Sequence, residues 1–423
     1  MIKRIILHDI EKHLKEPEMT VLIGPRQVGK TYLMRLLQKR LEEQGEKTIF
    51  LSLDIDDHKP FFATQSALIN YIHLQAGDAK AYIFLDEVQR KEDAGLYLKG
   101  IYDRHLPYKF IVSGSGSLDL KAKIKESMAG RKQLFQVLPV SFEEFVDFKT
   151  NYKYEDRLQE FFSIEKIRTQ SLLEEYMTFG GYPRVILAEV MDKKKSEMDE
   201  IYTSYVERDI SDLLGVEKPD AFTNLLKIMA SQFGNLVNVA ELSSTIGITS
   251  KTIQNYLWYL EHTFILKKVT PYYRNVRSEI TKAPVYYFYD TGLRNYLLGL
   301  FTLPAIPQAL RGHLFENVVF GMILKHLSHA STRIHFWRTR DNAEVDFVLT
   351  VGTELVPIEV KYKQMEKGEI TRSYRSFLGR YKPKNGYIVH LGKEARVQVD
   401  RTTVHFLPYY KLVGLGFGDL LTI

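Results

Sequence analysis

Cysteine is absent from all 423 residues, which excludes disulfides and cysteine-ligated zinc. Long apolar runs are missing as well. None approaches the ~20 residues a helix needs to span a bilayer, so no membrane partner is expected. The 12 histidines are scattered, for example His313, His326, His329 and His335, without the paired helical spacing of zinc hydrolases. The opening residues, Met1-Ile2-Lys3-Arg4-Ile5-Ile6-Leu7-His8, lack a long apolar stretch and a small-residue cleavage site. No signal peptide is read there, and a cytoplasmic location is expected. Excess charge is small: 58 Lys and Arg against 52 Asp and Glu leave +6, a weak bias toward polyanionic partners. What remains is 45% hydrophobic and 26% charged, the balance of a globular protein. A chain this long exceeds one core, so two to four domains are expected.

The most informative stretch is Gly24-Pro25-Arg26-Gln27-Val28-Gly29-Lys30-Thr31. It follows the apolar run Thr20-Val21-Leu22-Ile23 and opens a helical pattern at Tyr32-Leu33-Met34-Arg35-Leu36-Leu37. Strand, glycine loop and helix in that order are the context of a phosphate-binding loop. Glycines let consecutive N–H groups point at a polyphosphate, and the helix N-terminus adds partial positive charge. Lys30 is expected at the β- and γ-phosphates and Thr31 at Mg²⁺, with Gly24 through Tyr32 surrounding ATP.

Further strands follow at Thr48-Ile49-Phe50-Leu51-Ser52-Leu53-Asp54 and Ala81-Tyr82-Ile83-Phe84-Leu85. The latter delivers Asp86 and Glu87 to its C-terminal end, where ligands gather in open α/β sheets. The spacing from the loop, about 55 residues, assigns Asp86 to the Mg²⁺ shell and Glu87 to the attacking water. A fourth strand, Lys109-Phe110-Ile111-Val112-Ser113, offers Ser113 or Ser115 as a γ-phosphate sensor, or simply a small-residue turn.

These motifs, with Met128-Ala129-Gly130-Arg131 and Leu138-Pro139-Val140-Ser141-Phe142-Glu143-Glu144-Phe145 after them, resemble a bacterial and archaeal family of AAA-type P-loop ATPases. Its members join an AAA-like domain to a C-terminal domain of unknown function. Phe179-Gly180-Gly181-Tyr182-Pro183, Tyr205-Val206-Glu207-Arg208-Asp209-Ile210 and Phe288-Tyr289-Asp290-Thr291-Gly292-Leu293 extend the resemblance over nearly the whole chain. It implies that Arg131 sits in a Gly-Arg motif after the sensor strand. A catalytic arginine finger, in its own site or a neighbour's, and an exposed surface arginine are both open there.

From Phe142 to about Leu214 the pattern is helical, broken at Gly180-Gly181-Tyr182-Pro183, and is read as a lid and connector. The run Glu207-Arg208-Asp209 is expected to form salt bridges across an interface, with an ATP-linked role as the alternative. Residues 221–290 carry a helix-turn-helix pattern turning at Gly247, followed by strands around a basic segment, the outline of a winged helix. Lys251, Thr252, Gln254 and Asn255 would face a DNA groove and Arg274 and Arg277 a phosphate backbone; a protein-binding or structural module has the same outline.

Near the C-terminus Glu316 lies in a helical pattern, Asp346 in a strand, and Glu359 and Lys361 two residues apart in another. Alternation puts Glu359 and Lys361 on one face. Asp346 and Glu359 are candidate ligands for a divalent cation, with Lys361 and Glu316 beside them, as in restriction-endonuclease-like (PD-(D/E)xK) folds. An edge salt-bridge cluster is the ordinary alternative. Arg338, Arg340, Lys363, Lys367, Arg372, Arg375 and Arg380, with Trp337 and Tyr374 among them, suit a nucleic-acid surface; a solvated charged face has the same pattern.

The expected architecture is α/β: an AAA-like ATPase domain (1–145), a helical lid (146–220), a winged helix (221–290) and a nuclease-like domain (291–423). The expected activity is Mg²⁺-dependent ATP hydrolysis coupled to binding or remodelling of DNA, in a homo-oligomer. A signalling NTPase acting on protein partners and an ATP-regulated endonuclease are the rivals.

Overall fold

The computed structural model describes residues 1–115, 128–204, 218–273, 282–325, 332–365 and 368–413. Arg274, Arg277, Lys367 and the run Glu207-Arg208-Asp209 lie outside the described residues.

The first sheet contains β1 (Met19–Gly24), β2 (Lys47–Ser52), β3 (Ala81–Asp86), β4 (Tyr108–Ser115) and β5 (Lys132–Gln136). Every residue of β1 and β3 is buried, as expected for parallel strands covered on both faces. The order is β2-β3-β4-β1-β5, with every pair parallel. All C-terminal strand ends therefore share one edge, which carries Gly24, Asp86 and Ser113. The polar β5 was not expected from the sequence; it pairs with β1 from Met19↔Lys132 to Ile23↔Gln136.

The helix Lys30–Glu43 leaves the end of β1 and buries Leu33, Met34, Leu37 and Leu41, one stripe of a helical surface. After β5 the helix Phe142–Lys149 opens with a capping box: Ser141 accepts from the Glu144 amide, and Glu144 accepts from that of Ser141 at 2.9 Å. The same buried carboxylate accepts from Arg4 Nε at 3.2 Å and the Ile5 amide at 2.7 Å. It thereby fastens the N-terminus to the start of this helix.

Helices Leu158–Ile164, Lys166–Phe179, Pro183–Leu187 and Met191–Ile201 form the connector. Helices Pro219–Ser231, Val239–Ile246 and Ser250–His262 follow. The second ends at Gly247 (φ 75°), where the left-handed backbone suits glycine. Thr249 then caps the third helix by accepting from the Thr252 amide at 3.2 Å.

The next strands, β6 (Leu266–Pro271) and β7 (Val285–Phe288), pair antiparallel. They do not form a separate sheet. β6 also pairs with β8 (Thr332–Arg338), and the sheet continues through β9 (Glu344–Val351), β10 (Glu354–Lys361), β11 (Asn385–His390), β12 (Ala395–Val399) and β13 (Thr402–Pro408). Eight strands run in the order β12-β13-β11-β10-β9-β8-β6-β7. The sheet is thus continuous across the boundary expected at 290–291. Among the described residues no helix is long and apolar enough to cross a membrane.

Removing one partner of a buried ion pair strands the other charge. Glu144→Ala should lower stability by about 3–5 kcal/mol in chemical denaturation, through Arg4 and the lost cap together.

Candidate functional site

The loop after β1 has its shape forced on it. A Cβ on Gly24 would overlap the carbonyl oxygen of Val137, so only glycine fits. Gln27 (φ 60°) and Gly29 (φ 95°) take left-handed conformations that curl the chain into the next helix. That helix has no side-chain cap, which leaves its first amides to a ligand at the cleft. Lys30 is buried, and its ammonium donates to the carbonyls of Gly24 at 3.0 Å and Pro25 at 2.7 Å. Burial pushes this ammonium down to about 8, against the opposing pull of Glu87 and Asp86.

Three strand ends meet beside it. Thr31 donates its hydroxyl to Asp86 Oδ2 at 3.0 Å. Ser113 donates to Asp86 Oδ1 and accepts from the Glu87 amide at 3.2 Å. Of the two serines considered, Ser113 therefore joins the acid pair; the Ser115 side chain is outside the described set. Glu87 adopts a left-handed backbone (φ 57°), a costly conformation for a non-glycine residue, and accepts from the Gln89 side-chain amide.

The loop and Glu87, with Asp54, line a cleft of about 650 Å³. Its other walls come from segments that the sequence reading did not assign to a nucleotide site: Ile2 and Arg4 from the N-terminus, Pro183, Arg184 and Leu187 from the connector, and Ser204. Arg4 also donates to the carbonyls of Val28 at 3.0 Å and Leu138 at 2.6 Å, bracing the loop from behind. Arg184 is paired with Glu197 at 2.5 Å and Glu200 at 3.1 Å. Across the cleft Gln27 donates to Ser204 at 3.0 Å. The readable signal for Arg184 was its place directly after Gly180-Gly181-Tyr182-Pro183.

Arg131 is elsewhere. Its carbonyl accepts from Met19 at the start of β1, and its guanidinium pairs with Asp103 at 2.7 Å. Five residues of strand, roughly 16 Å, separate that edge from Gly24. The side chain does not reach its own chain's cleft, so the catalytic expectation is corrected for that site.

Residues 16–146 match a family model described as an AAA domain. Segments 170–303 and 311–412 match two described only as domains of unknown function, DUF8612 and DUF4143. The chain is 27% identical over 372 residues to an uncharacterized protein of Mycobacterium tuberculosis, covering 87% of this chain and 75% of that one. It is 24% identical over 383 residues to an uncharacterized protein of Methanocaldococcus jannaschii, covering 88% and 81%. Among solved structures, AMPPCP-bound DnaA from Aquifex aeolicus aligns at 14% identity and a TM-score of 0.25, over 60% of this chain and 86% of that one. Cdc6p from Pyrobaculum aerophilum aligns at 12% and 0.29, over 71% and 96%. Scores this low establish no shared overall arrangement.

Beyond the AAA-type segment, the expected C-terminal residues gather at one region of the eight-stranded sheet. The β9–β10 register pairs Phe347 with Ile358, so Asp346 and Glu359 follow as neighbours. Asp346 accepts from the Val360 amide at 2.7 Å. Burial, then the charge of Glu316, holds its carboxyl well above the usual carboxylate range. Glu359 is buried, 2.8 Å from Lys361 Nζ, and accepts the Thr371 hydroxyl on both oxygens at 3.2 and 3.1 Å. Glu316 accepts from the Tyr287 hydroxyl at 2.6 Å. Among the described residues, no three His, Cys, Asp or Glu side chains converge on a point that could hold a metal ion.

On the helix Ser250–His262, Lys251, Gln254, Asn255 and Trp258 are exposed along one stripe. Thr252 is half-buried. Arg338 is also half-buried, 3.8 Å from Glu344. Trp337 and Tyr374 correct the sequence reading: both are buried in the core, with Tyr374 donating to Pro357 O at 2.9 Å, and neither offers a ring to a base.

The depressed Lys30 gives the cleft a pH signature. An anion needs the ammonium charged, so affinity for inorganic triphosphate should fall as pH rises through about 8. Lys30→Arg, which stays charged, should lose that part of the decline in calorimetric titrations.

Proposed function

We propose that this chain is a Mg²⁺-dependent ATP hydrolase whose turnover is coupled to DNA binding or remodelling. The observation that carries the reading is a buried lysine at a glycine loop beside the Thr31–Asp86–Ser113 chain of hydrogen bonds. The match of residues 16–146 to an AAA domain supports it.

The residues fit the group they would hold. A hydroxyl and a carboxylate 3.0 Å apart are hard oxygen donors of the kind Mg²⁺ takes. When bound, the cation would neutralise charge developing on the transferred phosphoryl group. Lys30 and the uncapped amides of the helix Lys30–Glu43 bind and orient the triphosphate. Glu87 takes the proton of the attacking water after leaving Gln89, and Ser113 fixes Asp86 and the Glu87 backbone together. Ile2, Pro183 and Leu187 exclude water from one side. Arg131, at the opposite edge, would serve a neighbouring copy in a homo-oligomer.

For DNA, the supporting observation is the exposed stripe Lys251, Gln254 and Asn255 on a helix after a capped glycine turn, the form of a winged-helix recognition element. Arg338 adds a cation on the C-terminal sheet. An ATP-regulated endonuclease is the second reading, favoured by Asp346 lying beside Glu359 with Lys361 at 2.8 Å. Cleavage would require Glu316, Asp346 and Glu359 to converge, which they do not do as described.

Lys30→Ala should reduce ATP turnover by at least about a hundredfold. Glu87→Gln should keep ATP bound in calorimetry while phosphate release stops; turnover at the parent rate would remove Glu87 from its role. Duplex DNA affinity should fall steeply with salt, and Lys251→Ala should lessen the slope by about one. Absence of any salt-dependent binding would favour protein partners instead. The endonuclease reading requires Mn²⁺- or Mg²⁺-dependent cleavage that is lost in Glu359→Ala while ATPase survives.

A further inference from the structure

Apart from Pro183, a wall of the cleft, two motifs take no part in the cleft's chemistry: Phe179-Gly180-Gly181-Tyr182-Pro183 and Phe288-Tyr289-Asp290-Thr291-Gly292-Leu293. They meet each other. Asp290 is buried and accepts the Gly181 amide at 2.6 Å through Oδ2 and the Leu293 amide at 2.8 Å through Oδ1. No slack surrounds this contact. A Cβ on Gly180 would overlap the Asp290 carboxylate, one on Gly181 the carbonyl oxygen of Val140, and one on Gly292 that of Phe179. Asn295 ties the same elements by donating to the carbonyls of Met177 and Thr178, both at 2.9 Å.

The junction faces both ends of the molecule. Toward the cleft, the Val140 amide donates to the Gly181 carbonyl at 2.7 Å, and Val137, three residues earlier, abuts Gly24 of the loop. Pro183 and Arg184, just after Gly181, wall the cleft itself. Toward the C-terminal sheet, Asp290 lies two residues beyond the end of β7. There Tyr287 donates to Glu316 at 2.6 Å, and Asn317 brackets Phe288, accepting its N–H at 2.9 Å and donating to its C=O at 2.8 Å. Four consecutive residues, Tyr287 to Asp290, thus touch the turn beside the cleft at one end and hold the helix Gln308–Lys325 at the other.

We infer that the segment Tyr287–Asp290 is a mechanical link through which occupancy of the loop cleft sets the position of Glu316 in the C-terminal acid cluster. The inference rests on the ATP reading above. Close-packed backbone contacts without free volume transmit a displacement instead of absorbing it. Tyr287 is a positioning residue here: it acts on Glu316 and touches no ligand. By linkage the effect is reciprocal, so anything that shifts Glu316 would change nucleotide affinity by the same factor.

Hydrogen exchange on the full chain, with and without a non-hydrolysable ATP analogue and Mg²⁺, tests this. In the parent, the analogue should change exchange of amides in 285–293 and in 308–325 by several-fold. Asp290→Asn, which turns an NH₂ toward one of the two amides now accepted, should bind the analogue within about twofold of the parent, as measured by calorimetry. It should lose the change in 308–325. Tyr287→Phe removes a single hydroxyl, tests the other end of the link, and should lose the change around Glu316 alone. Binding with no change at 308–325 in the parent, or a full change retained in both variants, overturns the link and leaves the ATP reading standing. No binding by the parent overturns both.

Discussion

The carbonyl oxygen of Val137 occupies the space where a side chain on Gly24 would stand, and the assembly of the molecule depends on that contact. The Val137 amide is already committed to Ile23 at 2.8 Å, which continues the β1–β5 ladder up to the loop. Leu138 then receives Arg4, and Val140 pairs with Gly181. One extended segment therefore sets the loop, the N-terminal strap and the connector in register. The three walls of the cleft share this reference, so a shift of one is felt by the others.

Charge burial is the second consequence. Taking an ammonium out of water costs several kcal/mol, and the Lys30 ammonium donates to two carbonyls while Glu87 and Asp86 attract it without a direct bond. An incoming phosphate would meet a cation that has already lost its water, where electrostatic interactions are stronger than in solvent. The Arg4–Glu144 pair works differently. Both charges are paired within the fold, and Arg4 braces the loop through the Val28 carbonyl.

The loop, Asp86 and Glu87 were legible because each lies on a contiguous signal: a strand, then the residues that its C-terminal end delivers. Arg4 and Ser204 were not, because what places them is contact between segments far apart in sequence. Arg4 meets Leu138 across 134 positions, and Gln27 meets Ser204 across 177. β5 escaped notice since Lys132-Gln133-Leu134-Phe135-Gln136 has no buried run; it is half-exposed at an edge. Tyr374 was misread for a reason available in the sequence. It recurs with Phe377 and Leu378 on the buried stripe of the helix Arg372–Tyr381, while Arg372, Arg375 and Arg380 take the exposed side. Trp337 gave no such warning, because β8 is covered on both faces from Ile334 to Trp337. The continuity of β6 and β7 with the C-terminal sheet depends on a non-local pairing at Thr270 and Pro271 that no local pattern announces.

The central claim is that one cleft, closed by the loop, the N-terminal strap and the connector, takes a nucleoside triphosphate. Photolabelling with an azido-adenine analogue of ATP, followed by peptide mapping, tests it most directly. The account predicts that label falls on peptides containing Met1–Arg4 or Pro183–Leu187 and that unlabelled ATP with Mg²⁺ competes it away. Label confined to other peptides, or label that ATP does not displace, would contradict it.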